Sequence, residues 1–185
     1  AHITVEAAPS ADGMAATLAS PPTHSRAVSE AERRDALALF GLTSADLDER
    51  LPPARIHGGA DHLILALRDR ARLATMEYDL NAGRQVMRAH GLVTIMLVHI
   101  AGNQLFDARN AFASGGVLED PATGAAAAAF AGYLRDIGWP HEGAFTIRQG
   151  EDMGAPSMIN VTLDDTPGSS VQVSGTARHI DPLSA

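Results

Sequence analysis

Cysteine and lysine are both absent from this 185-residue chain. Without a thiol there is no disulfide, no thiolate metal ligand and no cysteine nucleophile. Without a side-chain amine there is no Schiff base with pyridoxal phosphate or a carbonyl substrate. Aromatic residues are scarce at 4%, but 45% hydrophobic residues are enough for one domain, 1–185, with a real core. The 14 basic residues, all arginine, are scattered singly or in pairs against a net charge of -8, which leaves no stripe to follow a nucleic-acid backbone. No run of about 18 apolar residues is present to cross a membrane, and the first residues lack a signal-peptide pattern, so a cytoplasmic location is expected. The eight histidines never fall at His-x-x-x-His or comparable spacing. Neither a metal nor an organic cofactor is therefore expected.

What the chain does have is a regular alternation of strand and helix signals. Residues 3–7 and 14–19 alternate as strands around a turn at Asp12-Gly13, which gives an entry hairpin over 1–22 that stops at Pro21-Pro22. Ser29-Glu-Ala-Glu32 is a capping-box pattern opening a helix that Gly41 closes, and a short acidic helix is expected from Thr43 or Ser44 to about Arg50. His62–Leu67 and Leu92–Ile100 are apolar runs suited to buried strands, with a helix from Asn81 to His90 between them and an extended stretch, Gln104–Phe112, after them. Phe145–Gln149, Ser157–Leu163 and Val171–Ala177 read as a three-stranded meander. Together these elements predict an α+β fold in which a curved, mixed or antiparallel β-sheet wraps a central α-helix spanning 123–138.

That helix is the most informative part of the sequence. Ala125–Arg135 are strong helix formers, Phe130, Tyr133, Leu134 and Ile137 fall at core-facing spacings, and Gly138 is placed to end the helix. Immediately before it stands Glu119-Asp-Pro-Ala-Thr-Gly124, two carboxylates and a hydroxyl at a helix mouth. First-turn N–H groups have no internal partners and carry the positive end of the helix dipole, so they are suited to a small carboxylate or phosphate.

Arg109-Asn-Ala-Phe112, Gly115-Gly-Val-Leu-Glu-Asp-Pro-Ala-Thr-Gly-Ala-Ala126 and Gln149-Gly-Glu-Asp-Met-Gly-Ala-Pro-Ser157, in that order, resemble the carboxy-terminal half of the phenazine-biosynthesis PhzF family of isomerases. Gly59-Ala-Asp-His-Leu-Ile-Leu65 resembles the family's glycine-to-strand segment, so the likeness covers roughly residues 55–180 and, more weakly, the first hairpin. The resemblance implies a diaminopimelate epimerase-like fold of two similar halves, each a sheet around a helix, with the active site in the cleft between them. It also implies a catalytic glutamate and an asparagine-His-Pro type motif in the amino-terminal half, which no segment here matches. The chain is accordingly expected to be part of a longer protein, to pair with a separate amino-terminal half, or to form a homodimer that binds small anions without catalysis.

On the same resemblance Asp120 is the catalytic candidate, facing the substrate, and Gly124 and Ala125 offer it backbone N–H groups. The residues themselves add Thr123 and His62 as candidate substrate-binding residues, His62 also as a candidate base. Ala125 stands where relatives carry serine, and Ala155 where they often carry arginine. The residues alone leave other roles open. Asp120 and Thr123 are equally suited to capping the helix, His62 to a hydrogen-bonded place in the core, and Glu119 and Arg109 to structural or solvent-facing roles. The expected ligand is a small anionic metabolite, with no nucleic acid and no membrane as partner.

Overall fold

The Ala-rich helix lies inside a single curled sheet. The computed structural model describes residues 5–10 and 13–177. In chain order the strands are β1 (Val5–Ser10), β2 (Gly13–Ala19), β3 (His24–Ala27), β4 (Ala54–His57) and β5 (Asp61–Leu67), with helix α1 (Glu30–Leu39) between β3 and β4. Helices α2 (Arg70–Ala74) and α3 (Leu80–Ala89) lead to β6 (Thr94–Gly102), β7 (Leu105–Ala111) and the two-residue β8 (Glu119–Asp120). The buried helix α4 (Gly124–Asp136) is followed by β9 (Ala144–Gln149), β10 (Ser157–Thr162) and β11 (Gln172–Ala177). The strand order is β1-β2-β11-β10-β9-β7-β6-β5-β4-β3, with β8 attached to β7. All pairings are antiparallel except β5–β6 and β7–β9, and each of those is bridged by helix, as a parallel connection requires.

Every residue from Ala126 to Arg135 is buried, the pattern of a helix enclosed on all sides. The alanines let the wrap come close: a Cβ added to Gly58 would lie 2.9 Å from the Ala129 backbone nitrogen. The few aromatic residues are concentrated where the helix meets the sheet, with Phe106 edge-on to Phe130 at 5.0 Å and to Phe145 at 5.4 Å. At the far end of α4 the two flanks of the sheet are stitched by Arg135, which donates to Thr23 Oγ1 (2.6 Å) and Ser169 Oγ (2.7 Å). Leu63, Leu65, Ile95 and Leu97 point to the opposite face, where α1 and α3 cover them in a second core.

The sequence expectations differ from the structure at several places. The acidic helix after Thr43 is only a 3₁₀ turn, Ser44–Asp46, because the chain is drawn along β5: Leu47 bridges Leu67 and the Asp48 N–H donates to the Ala66 carbonyl. The short strands β3 and β4 and the single-turn α2 carry too few residues to show a period. Ile137 is 41% exposed, since it is the C-cap rather than part of the buried face, and Gly138 follows in the left-handed region at φ 70°. In the entry hairpin, Ile3, Thr4 and Asp12 lie outside the described residues, and β1 and β2 pair as expected.

Candidate active site at the mouth of the buried helix

Two strands share one edge of β7, end to end. β9 pairs with it as far as Gln149 opposite Ala108, and β8 takes over with Asp120 opposite Asn110. The break between them admits residues 121–123, which turn into α4. Gln149, 1% exposed, braces that turn: its Nε2 donates to the Asp120 carbonyl (2.6 Å) and to Thr123 Oγ1 (3.1 Å). Gly150 next to it has φ 83°, and a Cβ there would collide with the Ala155 carbonyl and come within 3.0 Å of the Pro121 carbonyl. Glycine is thus the residue that fits where the Gln149–Ser157 segment folds against the Glu119–Gly124 segment.

The Asp120 side chain does not cap the helix. Its Oδ2 accepts the Thr123 hydroxyl at 2.6 Å. Thr123 occupies the N-cap position, but its side chain makes no cap bond. Among the described residues nothing accepts from the N–H groups of Gly124, Ala125 or Ala126, while the Ala127 N–H already bonds to the Thr123 carbonyl. The positive end of α4 is therefore open, with Ala125 exposed on it and one carboxylate held alongside. With alanine at 125, no side-chain hydroxyl is offered there. The mouth gives onto a shallow hollow of about 190 Å³ whose walls include Leu18, Ile159 and Val173.

Glu119, adjacent in sequence, does different work. It is 5% exposed at the side chain and takes a forked bond from Arg109, with Nη2 at 2.6 Å and Nε at 3.1 Å. The remaining arm of Arg109 donates to the carbonyls of Ala74 (2.8 Å) and Met76 (3.2 Å). Both residues are structural, tying β7 and β8 to the loop after α2, and Arg109 has no arm left for a substrate.

His62 is fully buried in the sheet, with Nδ1 2.7 Å from Thr94 Oγ1 and no partner at Nε2. Burial pushes its imidazole down to about 4, so it is neutral at pH 7. It belongs to the face that packs on α4, as do Thr94, Asn110 and Asp120, because strand residues alternate faces. Asn110 is 0% exposed and neither of its amide atoms has a partner. Asn110 and Gln149 were not expected as site residues. The available signal was an amide placed where an inward-facing strand position is ordinarily apolar. Among the described residues no group of three or more His, Cys, Asp or Glu could hold a metal ion. No described helix is long and apolar enough to cross a membrane.

The phenazine biosynthesis-like protein family, PhzC-PhzF, matches residues 2–181, a wider span than the 55–180 suggested by motifs alone. An uncharacterized isomerase of Deinococcus radiodurans is 31% identical over 163 residues, which are 85% of this chain and 53% of that protein. The chain thus spans about half the length of the curated relative it matches. Among solved structures, a predicted epimerase from Pseudomonas aeruginosa superposes with a TM-score of 0.75 at 25% identity, covering 94% of this chain and 59% of the other. A PhzF-family phenazine biosynthesis protein from Bacillus anthracis gives a TM-score of 0.73 at 16% identity, over 94% of this chain and 62% of that one, a likeness of fold.

Proposed function

Since the chain belongs to the phenazine biosynthesis-like PhzC-PhzF family, we propose that it is the substrate-holding, carboxy-terminal half of an isomerase that moves a proton on a small carboxylate-bearing metabolite. The observation that carries this reading is the uncapped mouth of α4 with Asp120 fixed beside it by Thr123. The N–H groups of Gly124 and Ala125 hold the substrate carboxylate, and Asp120, with its second oxygen unbonded to any described residue, faces the carbon that exchanges its proton. Proton transfer between two positions of a substrate needs an acid and a base. Asp120 supplies one such group, and the second comes from an amino-terminal half, in the same polypeptide or as a separate chain.

The reading draws support from the isomerase and epimerase names of the similar proteins and from their greater length. The reaction it describes needs neither a metal nor an organic cofactor, because the substrate's own carboxylate and the helix end together stabilise the charge that develops. The test is proton exchange. The protein as isolated from its source, with whatever co-purifies identified by mass spectrometry, is incubated with small carboxylates in deuterated water and followed by NMR. Deuterium uptake at a carbon adjacent to the carboxylate, lost with Asp120→Asn, is the expected result. Carboxylate binding without exchange under all conditions would instead favour a non-catalytic anion-binding homodimer.

A further inference from the structure

A second pocket lies on the opposite face of the sheet from the helix mouth. Its volume is about 750 Å³, within the range of sites that enclose a small organic molecule. Three separate segments build its apolar and aromatic wall, with Arg109 of β7 beneath: Met76 and Tyr78 from the connection between α2 and α3, Val117 and Leu118 ahead of β8, and Met153 from the turn after β9. Val117, Leu118 and Met153 are 48%, 53% and 40% exposed, so apolar surface from remote parts of the chain converges here in contact with solvent.

We propose that this pocket binds a small, flat apolar molecule that is neutral or positively charged. Apart from the exposed Glu77 carboxylate, the polar side chains in its wall are already committed. Arg109 is spent on Glu119 and two carbonyls, and the Tyr78 hydroxyl donates to the Leu118 carbonyl. A ligand therefore gains little from hydrogen bonding and much from contact. Two thioethers and a phenol ring are polarisable partners suited to an aromatic face. Charge sets the remaining preference: Glu119 is neutralised by Arg109, which leaves the exposed Glu77 carboxylate as the net charge of the lining. An anion is repelled, the reverse of the selectivity at the helix mouth, so one chain carries two sites of opposite preference back to back.

The experiment is a fluorescence titration of the protein with the neutral dye N-phenyl-1-naphthylamine and, separately, with its anionic relative 1-anilinonaphthalene-8-sulfonate. Saturable binding of the neutral dye is expected, with the anionic dye at least about tenfold weaker. Val117→Asp and Met153→Asp, both at exposed positions, should each weaken the neutral dye by about tenfold or more by placing a charge in the apolar wall, with circular dichroism unchanged. Asp120→Asn should bind it as the parent does. The proposal is overturned if the neutral dye shows no saturable binding, if both aspartate variants bind it unchanged, or if the two dyes bind equally. It is equally overturned if light scattering shows a dimer that Val117→Asp dissociates and the dye never enters, since the face is then an interface between copies.

Discussion

Glu119 and Asp120 are neighbours on β8 whose side chains leave opposite faces of the sheet, one into a forked ion pair with Arg109 and the other to the mouth of α4. Strand alternation therefore commits one carboxylate to architecture and leaves the other at the helix mouth, where we propose that substrate binds.

The two should separate cleanly on substitution. Glu119→Gln leaves the mostly buried Arg109 without its counter-charge and should cost about 3 kcal/mol. In a chain of this size that lowers the melting temperature by roughly 6–12 °C. Asp120→Asn gives up one hydrogen bond and should cost about 1 kcal/mol, yet abolish proton exchange. Thermal melts beside exchange assays on both variants check this, and equal stability losses would show that the alternation does not divide the roles.

Gln149 offers a second handle. Gln149→Leu roughly keeps its volume but removes all three of its hydrogen bonds to the turn at 120–123. It should weaken carboxylate binding by about tenfold, a loss of order 1.4 kcal/mol, while circular dichroism stays that of the parent. Acetate or lactate titration by calorimetry measures the change, and unaltered affinity would mean that the turn holds its shape without the brace.

Acid should destabilise the fold in two windows. His62 titrates lower in the folded chain than when unfolded, so the unfolded state binds more protons between about pH 6.5 and pH 4. Stability from this group is complete above pH 6.5 and declines on acidification towards 4, at most about 1.4 kcal/mol per pH unit. Glu32 follows: Arg26 above all, then the Ser29 N–H and Arg55, outweigh its burial and hold its carboxyl well below the usual range. Its contribution is present above the unfolded carboxylate value near 4.3 and falls away as pH drops further. Urea unfolding at steps from pH 7 to pH 3 should show both, with His62→Asn flattening the upper window alone.

Gly58→Ala tests how closely the sheet presses on the helix. The added methyl meets the α4 backbone at Ala129, which has no flexible side chain to move aside. A loss of about 1–3 kcal/mol is expected from such overpacking. The same change at Gly138 meets nothing within 4 Å and should cost only the strain of its φ of 70°. Denaturation midpoints of the two variants give the comparison, and a Gly58→Ala loss no larger than that at Gly138 would contradict the packing account.

Much of this was legible in the residues. The helix at 124–136 announced itself by composition and by its terminal glycine, β5 and β6 by apolar runs, and β7 and the late meander by alternating ones. The sheet curled around the helix followed from an alanine face too apolar to stand outside. Partnership was not legible. Nothing local says that β9 and β8 divide the edge of β7, that Gln149 reaches across to Asp120, or that Asn110 stands opposite it, because each depends on residues tens of positions apart. Capping propensity likewise pointed Asp120 at the helix N–H groups. The structure instead gives it the Thr123 hydroxyl, because Thr123, three residues on, takes the N-cap position.

The pairing of β2 with β11, Leu18 opposite Val173, has a consequence for the order of assembly. The β1–β2 hairpin is made well before β11, and the outer edge of β2 has no strand to pair with until β11 has emerged. During synthesis one flank of α4 therefore stands uncovered, and closure of the fold is a late, long-range event, a slow step of the kind that chaperones attend.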